Sequence, residues 1–174
     1  MDGRFQLYTG NGKGKTTAAI GLAVRAACSG VRVYIGQFMK GMDYSELALP
    51  DHFPGLITME QYGSPRLICR GEQPSDDDRE RARKGMEKFI RAMCSGLYGV
   101  AVADELSVTV HMGLLEESAA LELIGSRPRE VELVITGRYA PDSFVRAADL
   151  VTEMKEIKHY YATENLQARK SIEF

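Results

Sequence analysis

Residues 8–17 read Tyr-Thr-Gly-Asn-Gly-Lys-Gly-Lys-Thr-Thr, a glycine-rich turn between a short apolar stretch at 5–8 and a run of helical character. Strand, glycine-rich turn and helix in that order form a cradle for a polyphosphate. Gly10, Gly12 and Gly14 let the backbone take dihedrals that a Cβ forbids, so that its N–H groups point inward at an anion. Lys15 can reach terminal phosphates, the helix beginning near Thr16 adds its positive end, and the Thr16 hydroxyl can ligate magnesium. Asn11, Lys13 and Thr17 complete the nucleotide-binding candidates of the loop. The usual spacing sets four residues between its first glycine and Gly-Lys-Ser/Thr; here Gly10 is one residue too close, and Lys13 adds a second cation.

The rest of the chain alternates in the manner of an α/β fold. Ala19, Ile20, Ala23, Val24 and Ala27 recur at helical spacing until Gly30 stops the helix. Residues 31–38 are rich in β-branched and aromatic side chains and predict a strand. Between 42 and 78 the signals weaken to a short helix near 44–49 and a strand near 56–60, followed by a glycine- and proline-punctuated loop. Ser75 and the aspartates at 76–78 suit a helix start, and 79–94 predicts a charged amphipathic helix. Strands at 99–103, 131–136 and 150–153 alternate with helices at 117–124 and 141–148, and the tail from 154 onward does not predict a clear helix. Five or so strands alternating with helices predict a mostly parallel sheet covered on both faces, in one domain of 174 residues.

The strand at 99–103 ends in Asp104-Glu105. Carboxylates at the carboxyl end of a parallel strand face the crevice in which ligands bind, so one of this pair is expected to hold magnesium or orient its water. Arg138 stands at the corresponding end of the strand at 131–136.

Composition narrows the partners. A formal charge of −2 gives no bulk basic field for nucleic acid. Cys28, Cys69 and Cys94 show no paired short spacing, which argues for reduced thiols in cytoplasm. No apolar segment has the length of a signal peptide or a membrane span. His111 and His159 lack a second histidine at metal-ligand spacing.

With these features in view, the chain resembles the phosphate-loop ATP:corrinoid adenosyltransferases, which act on cob(I)alamin or cob(I)yrinic acid a,c-diamide. The resemblance is carried by the segment from Thr9 to Ala19, by Gln37-Phe-Met-Lys-Gly41, Asp104-Glu-Leu106 and Leu133-Val-Ile-Thr-Gly-Arg-Tyr-Ala-Pro141, by Ala148-Asp-Leu-Val-Thr-Glu-Met154 and Glu156-Ile-Lys-His159, and by the closing Ile172-Glu-Phe174. The shortened loop is itself typical of that family. The resemblance implies a RecA-like phosphate-loop fold and an attack of a cobalt(I) corrinoid on the 5′ carbon of ATP, with triphosphate expelled and the nucleotide held in the reverse of its usual sense. It implies magnesium on Thr16 and Glu105, with Lys15, Thr16 and Glu105 as catalytic residues. Arg25 and Arg138 become nucleotide or triphosphate contacts. It further implies a homodimer and an external flavoprotein reductant.

The chain departs from the family where corrinoid handling is expected. Many members carry a Phe and a Trp in the region of residues 62–71, whereas this chain has no tryptophan. Leu67 and Ile68 are the candidate substitutes against the corrinoid. Tyr160 stands where a proline usually follows Lys-His. From the residues alone two other functions stay open: a phosphate-loop ATPase or small-molecule kinase that uses Asp104 and Glu105 for metal and water, and a non-catalytic ATP-binding switch.

Overall fold

The computed structural model describes residues 2–66 and 72–173. Within them β1 (Phe5–Thr9), β2 (Val33–Gln37), β3 (Ile57–Gln61), β4 (Val100–Asp104), β5 (Glu132–Thr136) and β6 (Leu150–Glu153) form a six-stranded sheet in the order β3-β2-β4-β5-β1-β6. Every pairing is parallel, where the sequence predicts a mostly parallel sheet. Parallel neighbours need crossovers. These run through α1 (Lys15–Cys28), α2 (Leu49–His52), α3 (Asp76–Met93), α4 (Leu106–His111), α5 (Glu117–Gly125) and α6 (Asp142–Ala147), with α7 (Tyr160–Glu164) in the tail. A 3-10 turn at Ser45–Ala48 precedes α2.

Alternation along the strands sorts side chains between two cores. Val33, Ile35, Val100, Val102 and Val134 pack with Ala19, Ala23 and Ala27 of α1. Tyr34, Ala101, Ala103, Leu133 and Ile135 face the other way, toward Phe89 and Met93 of α3, Leu123 of α5 and Phe144 of α6. The inner strands β1, β2, β4 and β5 are therefore covered on both faces while the edge strand β6 is exposed along its length, and the alanine-lined contact with α1 lets that helix approach closely.

Two elements escape sequence reasoning. Leu-Ser-Val-Thr-Val-His forms α4 although Val108, Thr109 and Val110 favour strands. Burying Leu106 completely outweighs that preference, and the Thr109 hydroxyl donates to Glu105 O at 2.9 Å. In the tail, His159 accepts a hydrogen bond from the Tyr161 N–H at 3.1 Å and so caps α7. The start of α3 is as predicted: Ser75 and Asp78 form a reciprocal capping box. The Ser75 hydroxyl leads the contacts that hold the Asp78 carboxyl down to about 2.

Gly85 sits inside α3 because Tyr62 lies against it. A Cβ there would meet Tyr62 Cγ at 2.3 Å, and the ring cannot retreat, since its hydroxyl bonds Tyr34 Oη at 2.5 Å among Phe38 and Phe89. Replacing glycine by alanine inside a helix gains about 1 kcal/mol. Overpacking a fixed ring costs about 1–3 kcal/mol. Gly85→Ala is expected to lower the urea midpoint of unfolding, and a raised midpoint would show that Tyr62 is free to move.

Candidate active site

Parallel register brings Gln37, Asp104, Thr136 and Tyr8 to one level at the carboxyl edge of the sheet. Above this edge opens a cleft of about 1130 Å³. That volume takes a nucleotide and leaves room for a second molecule. Gly12, Lys13, Gly14, Lys15, Thr16, Thr17, Glu105 and Arg138 line it, so the structure assembles most of the residues expected from sequence. Asn11 lines a smaller adjoining pocket together with Arg138. Arg25 lies on the last turn of α1, outside the lining residues and about 15 Å along the helix axis from Lys15. Leu67 and Ile68 fall outside the described residues.

The phosphate loop takes its shape from glycine and from its neighbour. Gly10 and Gly14 have φ of 94° and 116°, and Gly14 is the residue from which α1 departs. The chain leaving β6 closes over the loop, with Gly12 N donating to Met154 O at 2.7 Å. Lys15 folds inward and donates to Gly10 O at 2.8 Å and Gly12 O at 2.6 Å. Burial lowers the pKa of its ammonium against the opposing pull of Glu105. An ammonium held within the loop over two weak acceptors is available to a better one.

β1 and β4 are separated by β5, which sets them about 9–10 Å apart, a gap that α1 spans with its first residues. The Thr16 hydroxyl donates to Asp104 Oδ1 at 2.8 Å, and the Thr136 hydroxyl donates to the same atom at 2.7 Å. Asp104 Oδ2 accepts from Gln37 Nε2 at 3.2 Å and from Lys40 Nζ at 2.9 Å. A carboxylate offers about four lone-pair sites, and these four donors occupy them. Asp104 is thus a buried hub, 1% exposed, that orients the Thr16 hydroxyl.

Glu105 differs in every respect. Its backbone turns left-handed at φ 60°, its N–H donates to Thr136 Oγ1 at 3.0 Å, and its carboxylate, which receives no hydrogen bond among the described residues, borders the cleft. Burial, and then the charge of Asp104, raise its pKa, against the pull of Lys40 and Lys15. The proton is therefore held more tightly in the folded chain than in the unfolded one. Stability of the protein without ligands is expected to fall as pH rises from the ordinary carboxylate range, near 4.5, through this raised value. Urea titrations across that window should show the slope, and Glu105→Gln should flatten it; an equal slope in the variant would assign the titration elsewhere.

A carboxylate that takes no hydrogen bond among the described residues and an oriented hydroxyl, both lining one cleft, are a donor set suited to a hard divalent cation. Thr16 and Glu105 could hold magnesium on these grounds, whereas the lone pairs of Asp104 are already spent.

Several lining residues have partners that sequence reasoning does not supply. Lys40 bonds Asp104 and, at 3.2 Å, Glu46, and stands 5.0 Å from the centre of the Tyr44 ring. Burial would lower its pKa, yet the two carboxylates outweigh it and the net shift is upward. Val108 of the unpredicted α4 and Met112 just after that helix, with Met39 and Leu49, give the cleft apolar stretches of wall. His111 stacks on Tyr139 with ring centres 4.3 Å apart. Met39, Glu105 and Tyr139 follow the ends of β2, β4 and β5 respectively, line the cleft, and all have positive φ, a concentration of backbone strain at one place.

A family profile described as ATP:corrinoid adenosyltransferase BtuR/CobO/CobP matches residues 1–174. The chain is 32% identical over 173 residues to the corrinoid adenosyltransferase of Pseudomonas aeruginosa, covering 99% of this chain and 84% of that protein. It is 29% identical over 173 residues to the corrinoid adenosyltransferase CobA of Salmonella typhimurium, covering 97% and 84%. An uncharacterized protein of Nostoc is 36% identical over 179 residues, covering 95% of this chain and 47% of its own length, so the chain spans about half of that relative.

Proposed function

The chain belongs to the ATP:corrinoid adenosyltransferase family, and we propose that it transfers the 5′-deoxyadenosyl group of ATP to the cobalt(I) of a corrinoid and releases triphosphate. The observation that carries this reading is the convergence of Lys15, Thr16, Glu105 and Arg138 on a cleft that is also walled in part by Met39, Val108 and Met112. One part suits a polyphosphate, and the apolar stretches suit the body of a larger acceptor.

The cobalt(I) electron pair forms the Co–C bond while the C5′–O bond breaks and its electrons leave with the triphosphate, so that the cobalt becomes formally cobalt(III). No protein nucleophile is needed. Charge builds on the departing oxygens, and catalysis lies in stabilising it and in holding donor and acceptor in line. The loop N–H groups other than that of Gly12, which bonds Met154 O, and the Lys15 ammonium would meet that charge, with Arg138 at the adjoining strand end. Bound magnesium would add Lewis-acid neutralisation of the leaving group; the Thr16 hydroxyl and Glu105 carboxylate would hold it. The place of Arg25 as a nucleotide contact rests on family resemblance. The cobalt must first be reduced from cobalt(II) by one electron, for which an external flavoprotein is the proposed donor, and a homodimer is the proposed assembly.

Hydrolysis or kinase chemistry would ask for a carboxylate poised as base. Asp104 is saturated by four donors, which leaves Glu105, and the two roles separate by product. Incubated anaerobically with MgATP and chemically reduced cob(I)alamin or cobinamide, the protein should yield a light-sensitive adenosylcorrinoid and intact triphosphate. Steady formation of ADP, with the corrinoid left unalkylated, would overturn the reading in favour of an ATPase. Glu105→Gln is expected to impair magnesium-dependent transfer without generating or abolishing phosphate release.

A further inference from the structure

The closing Ile-Glu-Phe motif has no part in the chemistry above, yet its glutamate reaches the phosphate loop. Lys13 Nζ donates to Glu173 Oε1 at 2.7 Å, to Ile172 O at 3.1 Å and to Tyr160 Oη at 3.3 Å. An ammonium has three donors, and all three are spent on the tail. Glu173 Oε1 also accepts from the Arg169 guanidinium at 3.2 Å and from the Tyr160 hydroxyl, and its Oε2 accepts from the Arg169 backbone N–H at 2.8 Å and Nε at 3.3 Å. Arg169 also lies over the Tyr160 ring, 5.1 Å from its centre. Ser171, Ile172 and Glu173 consequently form part of the wall of the cleft. The tail thus meets the phosphate loop at Lys13 and borders the same cleft as residues 12–17.

We propose that the Lys13 side chain is the anchor of a C-terminal strap over the nucleotide site rather than a phosphate ligand, and that Glu173 is the positioning residue that latches it. The inference rests on the nucleotide site proposed above but not on the acceptor or the product. The division of labour follows from geometry. Lys15, buried over the loop carbonyls, is the cation directed at phosphate, whereas the Lys13 ammonium spends its donors on the tail. Release of nucleotide or triphosphate then requires the Lys13–Glu173 pair to part, and the strap sets how long the ligand stays. The partners of Glu173, Arg169 first, pull its pKa down, and those of Lys13, Glu173 first, push its pKa up, so the pair stays charged around neutrality.

The test compares the parent with Lys13→Ala, Glu173→Gln and the double variant. Dissociation of a fluorescent ATP analogue is followed by stopped flow, and trypsin cleavage after Arg169 and Lys170 is followed without nucleotide. Each single variant is expected to release nucleotide about five- to tenfold faster, and the double no faster than either single, because both changes cut one contact. Each should also open the 169–170 region to trypsin. Slower release in Glu173→Gln would overturn the proposal by making Glu173 a competitor of phosphate for Lys13. A large effect of Lys13→Ala alone, or effects that multiply in the double variant, would overturn it by making Lys13 a phosphate ligand. Failure of the parent to bind the analogue would count against the nucleotide site itself, and the trypsin comparison would still decide whether the strap is latched.

Discussion

Lys15→Ala is expected to lower kcat/KM for ATP about 10²–10³-fold, or about 3–4 kcal/mol of transition-state stabilisation, while changing the unfolding free energy by less than about 1 kcal/mol. The asymmetry follows from what the ammonium touches. In the protein without ligands it donates to Gly10 O and Gly12 O, neutral acceptors at the margin of an open cleft that water can satisfy once the side chain is gone. In the proposed transfer it would face a triphosphate leaving group on which negative charge grows, and charge-assisted contacts are the strong ones. Lys15 is 6% exposed and cannot be replaced by a surface lysine, nor by Lys13, whose donors are committed to the tail. Single-turnover transfer assays and urea unfolding measure the two quantities separately. Transfer within threefold of the parent would place the phosphates elsewhere.

The second large effect is on stability. Asp104→Asn keeps the volume but puts an amide N–H₂ where one carboxylate oxygen accepts two hydrogen bonds. If the amide faces Lys40 and Gln37, donor meets donor; if it faces Thr16 and Thr136, their hydroxyls must reverse, and Lys40 keeps a neutral oxygen in place of a charge. Lys40, with a side chain 14% exposed, would then rely on Glu46 alone. Removing one partner of a buried ion pair costs about 3–5 kcal/mol, and because Glu46 remains the expected loss is near the lower end, about 3 kcal/mol. Guanidinium unfolding at neutral pH measures it. A loss under about 1 kcal/mol would mean that the four donors find other acceptors, and that Asp104 is not the hub described above.

Asp104 also shows where reading from sequence stops. That the Asp-Glu pair belongs beside a phosphate loop is legible, because an apolar strand ending in carboxylates has few other uses in an α/β protein. Which of the two would hold a cation is decided by the register of β2, β4 and β5. Register brings Gln37 and Thr136 to the level of Asp104, and the chain after β2 brings Lys40 to it. None of these partners is near Asp104 in sequence, and although Gln37, Lys40 and Thr136 lie in segments that carry the family resemblance, no local pattern announces that they meet at its carboxylate. The missed helix α4 has a similar cause: Val108, Thr109 and Val110 argue locally for a strand, while the buried Leu106 and the short path from β4 to α5 require a helix.

The tail gives the contrary case. Its charged and aromatic residues are compatible with wrapping, closing a site or fraying, and sequence offers no means of choosing. The choice was made by Lys13, which lies some 160 residues away in the chain and meets Glu173 only once the β6 exit has carried the chain back over the loop.

What the chain states by itself is what local physics can enforce: a glycine-rich turn that must bind an anion, strands of apolar residues too continuous to face water, helices that end where capping and glycine end them, and an order of motifs that marks the family. These depend on neighbours within a few residues, so they survive without coordinates. Tertiary structure alone decided which carboxylate is saturated and which takes no hydrogen bond among the described residues, which of two nearby lysines turns into the loop and which to the tail, and that residues 171–173 border the cleft. Each of those outcomes is a competition for hydrogen-bond donors among groups from distant segments, and such a competition has no result until the sheet has fixed their distances.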